Sequence, residues 1–119
     1  LKVEERSAEE ITTIGIGGTH RVFYPESTKE LKSLVEEGDF FVLGGGSNVV
    51  IPENLEKKLI SLKFFKNFAF SKGTLTVGAG VTLRKILKEQ IKRGFSLFEN
   101  LAGIRRATVG GLIAQNAGA

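Results

Sequence analysis

Fifteen of the 119 residues are glycine, and ten of them fall where apolar, largely β-branched runs break off rather than in polar linkers. Ile14-Gly15-Ile16-Gly17-Gly18, Leu43-Gly44-Gly45-Gly46, Val77-Gly78-Ala79-Gly80 and Val109-Gly110-Gly111 share this pattern. A glycine at the end of a strand permits positive φ and lets a ligand approach the main chain closely. The loop Gly44 to Asn48 can turn successive N–H groups toward one point, an anion nest to which Ser47 and Asn48 add side-chain donors. Such a loop suits a pyrophosphate. It matches neither common nucleotide pattern: a dinucleotide fingerprint needs glycine at Val49, and a P-loop needs a Gly-Lys-Ser/Thr ending. A tight glycine turn without a ligand is the competing reading.

The elements around these glycines read as α+β. Leu1 to Glu10 is polar and predicts an arm or a short helix. Thr19 to Tyr24 predicts a strand stopped by Pro25. Ser27-Thr28-Lys29-Glu30 is a capping box opening a helix with Leu31, Leu34 and Val35 on one face, ended by Gly38. Phe40 to Leu43 is apolar throughout, as in strands buried on both faces, and Val49 to Ile51 follows it, closed by Pro52. Leu59 to Phe70 and Thr74 to Val77 predict two strands joined at Lys72-Gly73. Thr82 caps a further helix that buries Leu83, Ile86, Leu87 and Ile91 and ends at Gly94. The stretch Leu101 to Ala119 is too apolar for a linker and too poor in bulky groups to form a core, which a ligand against the backbone explains. The division expected is residues 1–58 as one lobe and residues 59–119 as part of a second.

Composition removes several chemistries. With no cysteine, there is no disulfide, thiolate nucleophile or cysteine-held metal. One histidine, His20, and one aspartate, Asp39, leave no basis for a hydrolytic triad, and no metal site is expected. The net charge of +4 invites a nucleic-acid reading. However, the densest basic group, Arg84, Lys85, Lys88, Lys92 and Arg93, reads as the solvated face of a helix, and the aromatics are not interleaved with cations as stacking platforms are. No apolar run approaches the ~20 residues of a membrane span, and a charged beginning does not suit a signal peptide, so the expected setting is cytoplasmic. Leu1 in place of a methionine and the abrupt ending at Ala119 give the expectation of a piece of a longer protein.

Three separated motifs in order carry a resemblance: Leu43 to Val49, Val77 to Gly80, and the run Glu99 to Ile104, Thr108 to Gly111 and Asn116 to Ala119. Together they resemble the UDP-N-acetylmuramate dehydrogenases (UDP-N-acetylenolpyruvoylglucosamine reductases). That family belongs to the FAD-binding superfamily typified by vanillyl-alcohol oxidase. The resemblance implies two small α/β lobes holding FAD, the second one incomplete here. It implies Gly44, Gly45, Gly46, Ser47 and Asn48 along the pyrophosphate, and Gly78, Gly80, Gly103, Thr108, Gly110 and Gly111 along the rest of the cofactor. It further implies NADPH as hydride donor and UDP-N-acetylglucosamine enolpyruvate as acceptor in the complete enzyme. The family's catalytic serine, arginine and glutamate have no counterpart in these residues, so no catalytic residue is assigned. Ile104-Arg105-Arg106-Ala107 departs from the family's Ile-Pro-Gly by one residue and two charges. Two other readings stay open: another flavin-linked oxidase of the superfamily, and a binding module that has lost the cofactor.

Overall fold

A computed structural model describes residues 1–46, 51–97 and 107–114. It is a mixed α/β structure built on a four-stranded sheet and a separate two-stranded hairpin. In chain order the elements are β1 (Lys2–Ser7), α1 (Ala8–Ile11), β2 (Thr19–Tyr24), α2 (Thr28–Glu36), β3 (Phe40–Leu43), β4 (Lys58–Ser61), β5 (Phe68–Ser71), β6 (Thr74–Val77), α3 (Leu83–Arg93) and α4 (Val109–Ala114).

The first sheet has the order β1-β2-β4-β3. β1 and β2 run antiparallel, from Lys2 opposite Tyr24 to Ser7 opposite Thr19. β4 is parallel to β2 on one side and to β3 on the other. The opening ten residues are therefore chiefly a strand, not the arm or helix their polarity suggests. Pairing with β2 satisfies the backbone of a charged segment that has no apolar face of its own. Ser7 then caps α1: its hydroxyl accepts from the Glu10 N–H, and the Glu10 carboxylate accepts from the Ser7 N–H at 3.1 Å. That reciprocal box matches the [ST]-x-x-[EQ] rule.

β4 is the central strand, and its Leu59 and Ile60 point to opposite faces yet are both almost completely buried. Each such side chain stabilises the fold by roughly 1.5–3 kcal/mol. β3 corrects the expectation of burial on both faces. It is the last strand of the sheet, paired with β4 alone, and Phe41 and Val42 are exposed. An apolar run marks a strand without saying where in the sheet order it falls. On one face of the sheet Val22, Tyr24, Leu43 and Leu59 pack with Ile11 and Ile51 into the main core.

Ser27 caps α2 as expected, accepting from the Glu30 N–H. The Glu30 carboxylate reaches back one residue further, however, and accepts from the Glu26 N–H at 2.9 Å. Leu34 is buried, while Val35 is exposed. The Lys58 ammonium donates to the Leu34 carbonyl at 3.1 Å and so ties the end of α2 to β4.

The span expected as one strand from Leu59 to Phe70 splits in two. β4 completes the first sheet, residues 62–67 turn, and β5 pairs with β6 through the expected Lys72-Gly73 turn. Both turn residues have positive φ, 51° and 75°, as a two-residue hairpin connection of this hand requires. Thr82 caps α3 and Gly94 closes it in the left-handed conformation. Leu83 and Ile86 are buried, but Ile91 is 87% exposed, against expectation. Glu89, one turn after Ile86, is buried instead, held by Lys85 at 3.2 Å and Arg93 at 2.7 Å.

Candidate functional site

Parallel pairing sets the site. β3 and β4 are in register with Leu43 opposite Ser61, so both strands end at the same level and release Gly44 and Leu62 side by side. The carboxyl ends of parallel strands are where α/β folds open their ligand crevices. Here two adjoining clefts open, of about 350 and 200 Å³, and they share Leu43, Gly44, Ser61, Lys63, Gly80 and Thr108. The larger is completed by Arg6, Glu10, Tyr24, Gly45 and Thr82, and the smaller by Ala79, Gly110 and Gly111 among others.

The far wall is made by a strip of backbone pairing. Leu83 N–H donates to the Ala107 carbonyl at 2.8 Å, Val109 N–H to Val81 at 2.8 Å, and Gly110 N–H to Ala79 at 3.0 Å. Thr108 immediately precedes α4, its hydroxyl accepting from the Gly111 N–H at 3.2 Å. Glycine is a poor helix former, so two glycines in this first turn hid the helix from sequence reading. Gly110 has a packing reason: a Cβ there would lie 3.0 Å from the Ala79 Cβ.

The expected cofactor residues fall into three groups. Gly44, Gly45, Gly80 and Thr108 line the larger cleft, and Gly110 and Gly111 line the smaller. Gly46 and Gly78 line neither cleft and meet the chain itself. A Cβ on Gly46 would lie 2.0 Å from the Ile11 carbonyl oxygen, and one on Gly78 2.2 Å from that of Phe65. Ser47, Asn48 and Gly103 lie outside the described residues, as do Arg105 and Arg106. Ser61, Lys63, Arg6, Tyr24 and Thr82 are cleft residues that sequence reading did not single out. The signal for Ser61 and Lys63 is the β3–β4 pairing, which joins residues far apart in the chain.

Charge on the cleft wall is unevenly neutralised. Arg6 donates to Glu10 at 3.0 Å and also pairs with Glu4. The Ser7 backbone N–H, with help from Arg6, holds the Glu10 carboxyl below the usual carboxylate value, so it stays ionised. Lys63 instead lies over the rings of Tyr24 and Phe64. A groove of about 630 Å³ bordered by β5, β6, α3 and α4 is larger, but Phe70, Phe95, Leu97 and Ile113 give it an apolar lining without a charged residue. Size alone does not make it the site. Among the described residues no group of histidine and carboxylate side chains is placed to hold a metal ion, and no helix is long and apolar enough to cross a membrane.

A family model described as an FAD binding domain matches residues 19–119. A UDP-N-acetylenolpyruvoylglucosamine reductase of Thermus thermophilus is 37% identical over 99% of this chain and 43% of its own length. One from Syntrophotalea carbinolica is 34% identical over 91% of this chain and 38% of its own. The crystal structure of UDP-N-acetylenolpyruvylglucosamine reductase from Thermus caldophilus superimposes with a TM-score of 0.80 at 34% identity, over 99% of this chain and 43% of that one. The chain thus spans less than half the length of the curated relatives it matches.

Proposed function

This chain belongs to the FAD binding domain family, and we propose on that premise that it is the cofactor-holding part of an NADPH-dependent reductase. The substrate of that enzyme is UDP-N-acetylglucosamine enolpyruvate and its product is UDP-N-acetylmuramate, a precursor of peptidoglycan. The observation that carries the reading is convergence. Three stretches distant in sequence, at Gly44-Gly45, Gly80 and Thr108, meet around one cleft in a fold shared at a TM-score of 0.80 with a reductase of that name.

The cleft fits the group. FAD presents a dianionic pyrophosphate between two flat, mostly apolar ring systems. The cleft offers glycine backbone at Gly44 and Gly45, hydroxyls from Ser61, Thr82 and Thr108, and the Lys63 cation. When bound, the flavin would carry hydride from NADPH to the enolpyruvyl double bond. The part of these residues is to hold and orient it. Gly44 and Gly45 admit the pyrophosphate, and Ser47 and Asn48, next in the sequence, are proposed as further donors to it. Gly80, Gly110 and Gly111 keep the opposite wall free of side chains, and Thr108 fixes that wall through its bond to Gly111.

The fold is accordingly proposed as two lobes of the vanillyl-alcohol oxidase type. The division expected at residues 58/59 falls at β4, whose pairing is all with the first sheet. β5, β6 and α3 belong to a second lobe that these 119 residues fill in part. The apolar groove beside Phe70 and Phe95 is the face against which the rest of such a lobe packs. A cytoplasmic setting follows from the nucleotide substrates.

The test is made on the protein that carries this sequence. The proposal expects copurifying or readily taken-up FAD, and NADPH oxidation that depends on the enolpyruvyl sugar nucleotide. Flavin without that dependence would assign another flavin-linked oxidase of the superfamily. A protein that takes up no flavin would be a binding module that has lost the cofactor.

A further inference from the structure

We propose that Lys63 is the positioning residue for the anionic centre of FAD in this chain, its ammonium countering the pyrophosphate at the junction of the two clefts. The inference rests on the FAD reading above and assigns a charge to a cleft that glycines alone leave without one.

Lys63 lies two residues beyond the end of β4 and lines both clefts of the site. It also lines a third, of about 480 Å³, with Phe64, Lys66 and Lys85. Its Nζ stands 4.8 Å from the centroid of the Tyr24 ring and 5.4 Å from that of Phe64. Aromatic faces attract and orient an ammonium group but carry no net charge with which to neutralise it. Of the other cations nearby, Lys2 pairs with Glu4 at 2.8 Å, Arg6 with Glu10 at 3.0 Å and Lys85 with Glu89 at 3.2 Å, while Lys66 lies over the Phe64 ring and lines neither cleft of the site. Among the described residues, no carboxylate forms an ion pair with Lys63.

An ammonium held by two rings, unpaired, and facing a cleft bordered by Gly44, Gly45 and Gly80 calls for an anion. The only strongly anionic part of FAD is its pyrophosphate. Lysine serves phosphates as a point charge without the directional demands of arginine. The two rings also restrict the side chain before binding, which lowers the ordering cost when the anion arrives.

The experiment uses the protein that carries this sequence, freed of flavin and titrated with FAD and with riboflavin, which has no phosphate. Lys63 is exposed, so Lys63→Gln keeps the fold, which its unfolding midpoint checks. At low ionic strength Lys63→Gln weakens FAD binding about tenfold or more, as expected for a hydrogen bond to a charged group. Riboflavin binding is unchanged, and Lys63→Arg retains most of the FAD affinity. Lys88→Gln, an exposed α3 residue that lines none of these clefts, has no effect. The FAD deficit narrows as salt is raised, because screening weakens the charge that was lost. An unchanged FAD affinity in Lys63→Gln, or an equal loss for FAD and riboflavin, overturns the proposal, since packing on Tyr24 and Phe64 would then be the residue's whole role. A normally folded protein that binds riboflavin but gains nothing from the pyrophosphate of FAD overturns it as well. Failure of the unaltered protein to bind any flavin overturns the FAD reading and this inference together.

Discussion

A Cβ on Gly80 would lie 2.0 Å from the Leu62 carbonyl oxygen, whereas on Gly44, across the same cleft, it would lie 3.3 Å from the Thr108 hydroxyl. The first is a clash with fixed backbone and the second a tight contact with a side chain. Gly80 is held in place by the chain itself: its N–H donates to the Phe65 carbonyl at 2.9 Å, and Gly78 donates to Asn67 at the same distance. Gly46, at the other end of the triple-glycine loop, is of the same kind, with φ at 75° and the Ile11 carbonyl where a side chain would go. Gly44 has no such obligation. Two turns that share a glycine-rich composition therefore do different things. One lets the chain pack on itself and so builds a wall, and the other leaves space in front of that wall.

The comparison can be broken by substitution. The largest effect belongs to Gly80→Ala, expected to cost about 3 kcal/mol or more because main chain must move to admit the methyl group. Urea unfolding measures this, and a midpoint within error of the unaltered protein would mean that Gly80 is free after all. Gly44→Ala is expected to shift stability by less than about 1 kcal/mol. Its FAD affinity should nevertheless fall about tenfold, equivalent to 1.4 kcal/mol. Parallel titrations and melts sharpen the contrast, which requires the two variants to differ in kind and not only in degree.

Smaller effects probe the supports. Thr108→Val removes the acceptor for the Gly111 N–H and should lower stability by about 1 kcal/mol, the usual worth of a helix cap, seen as a drop in Tm. The smallest concerns acid. Arg93, then Lys85, hold the Glu89 carboxyl below its ordinary 4.5. A carboxylate with a depressed folded pKa adds stability above that ordinary, unfolded value and loses it as pH falls through the folded one. Glu89→Gln should therefore unfold more easily at neutral pH and show a shallower loss of stability toward about pH 3. Parallel pH profiles in the two proteins would show that the Lys85–Glu89–Arg93 group contributes nothing.

What was legible in the sequence was local. The Ser27 and Thr82 caps, the Gly38 and Gly94 stops and the Lys72-Gly73 turn each depend on a few adjacent residues, and each occurs where expected. What was not legible depends on partners distant in the chain. β1 is a charged strand whose only evidence is its register with β2. β3 is apolar for reasons that do not tell an edge from a centre, and Ile91 lies on a helical stripe that the described fold leaves uncovered. The site was half legible for the same reason. Gly44, Gly80 and Thr108, expected from motifs, line the candidate cleft, but Ser61 and Lys63 reach it only through the pairing of β3 with β4.

The central claim is that FAD lies in the cleft where Gly44, Gly80, Lys63 and Thr108 meet. Backbone amide shifts of the protein that carries this sequence, recorded with and without FAD, test it most directly. The largest changes are expected at Gly44, Gly45, Lys63 and Thr108, with little at Phe70, Phe95 and Ile113. Changes centred on that apolar groove, with the cleft amides unmoved, would contradict it.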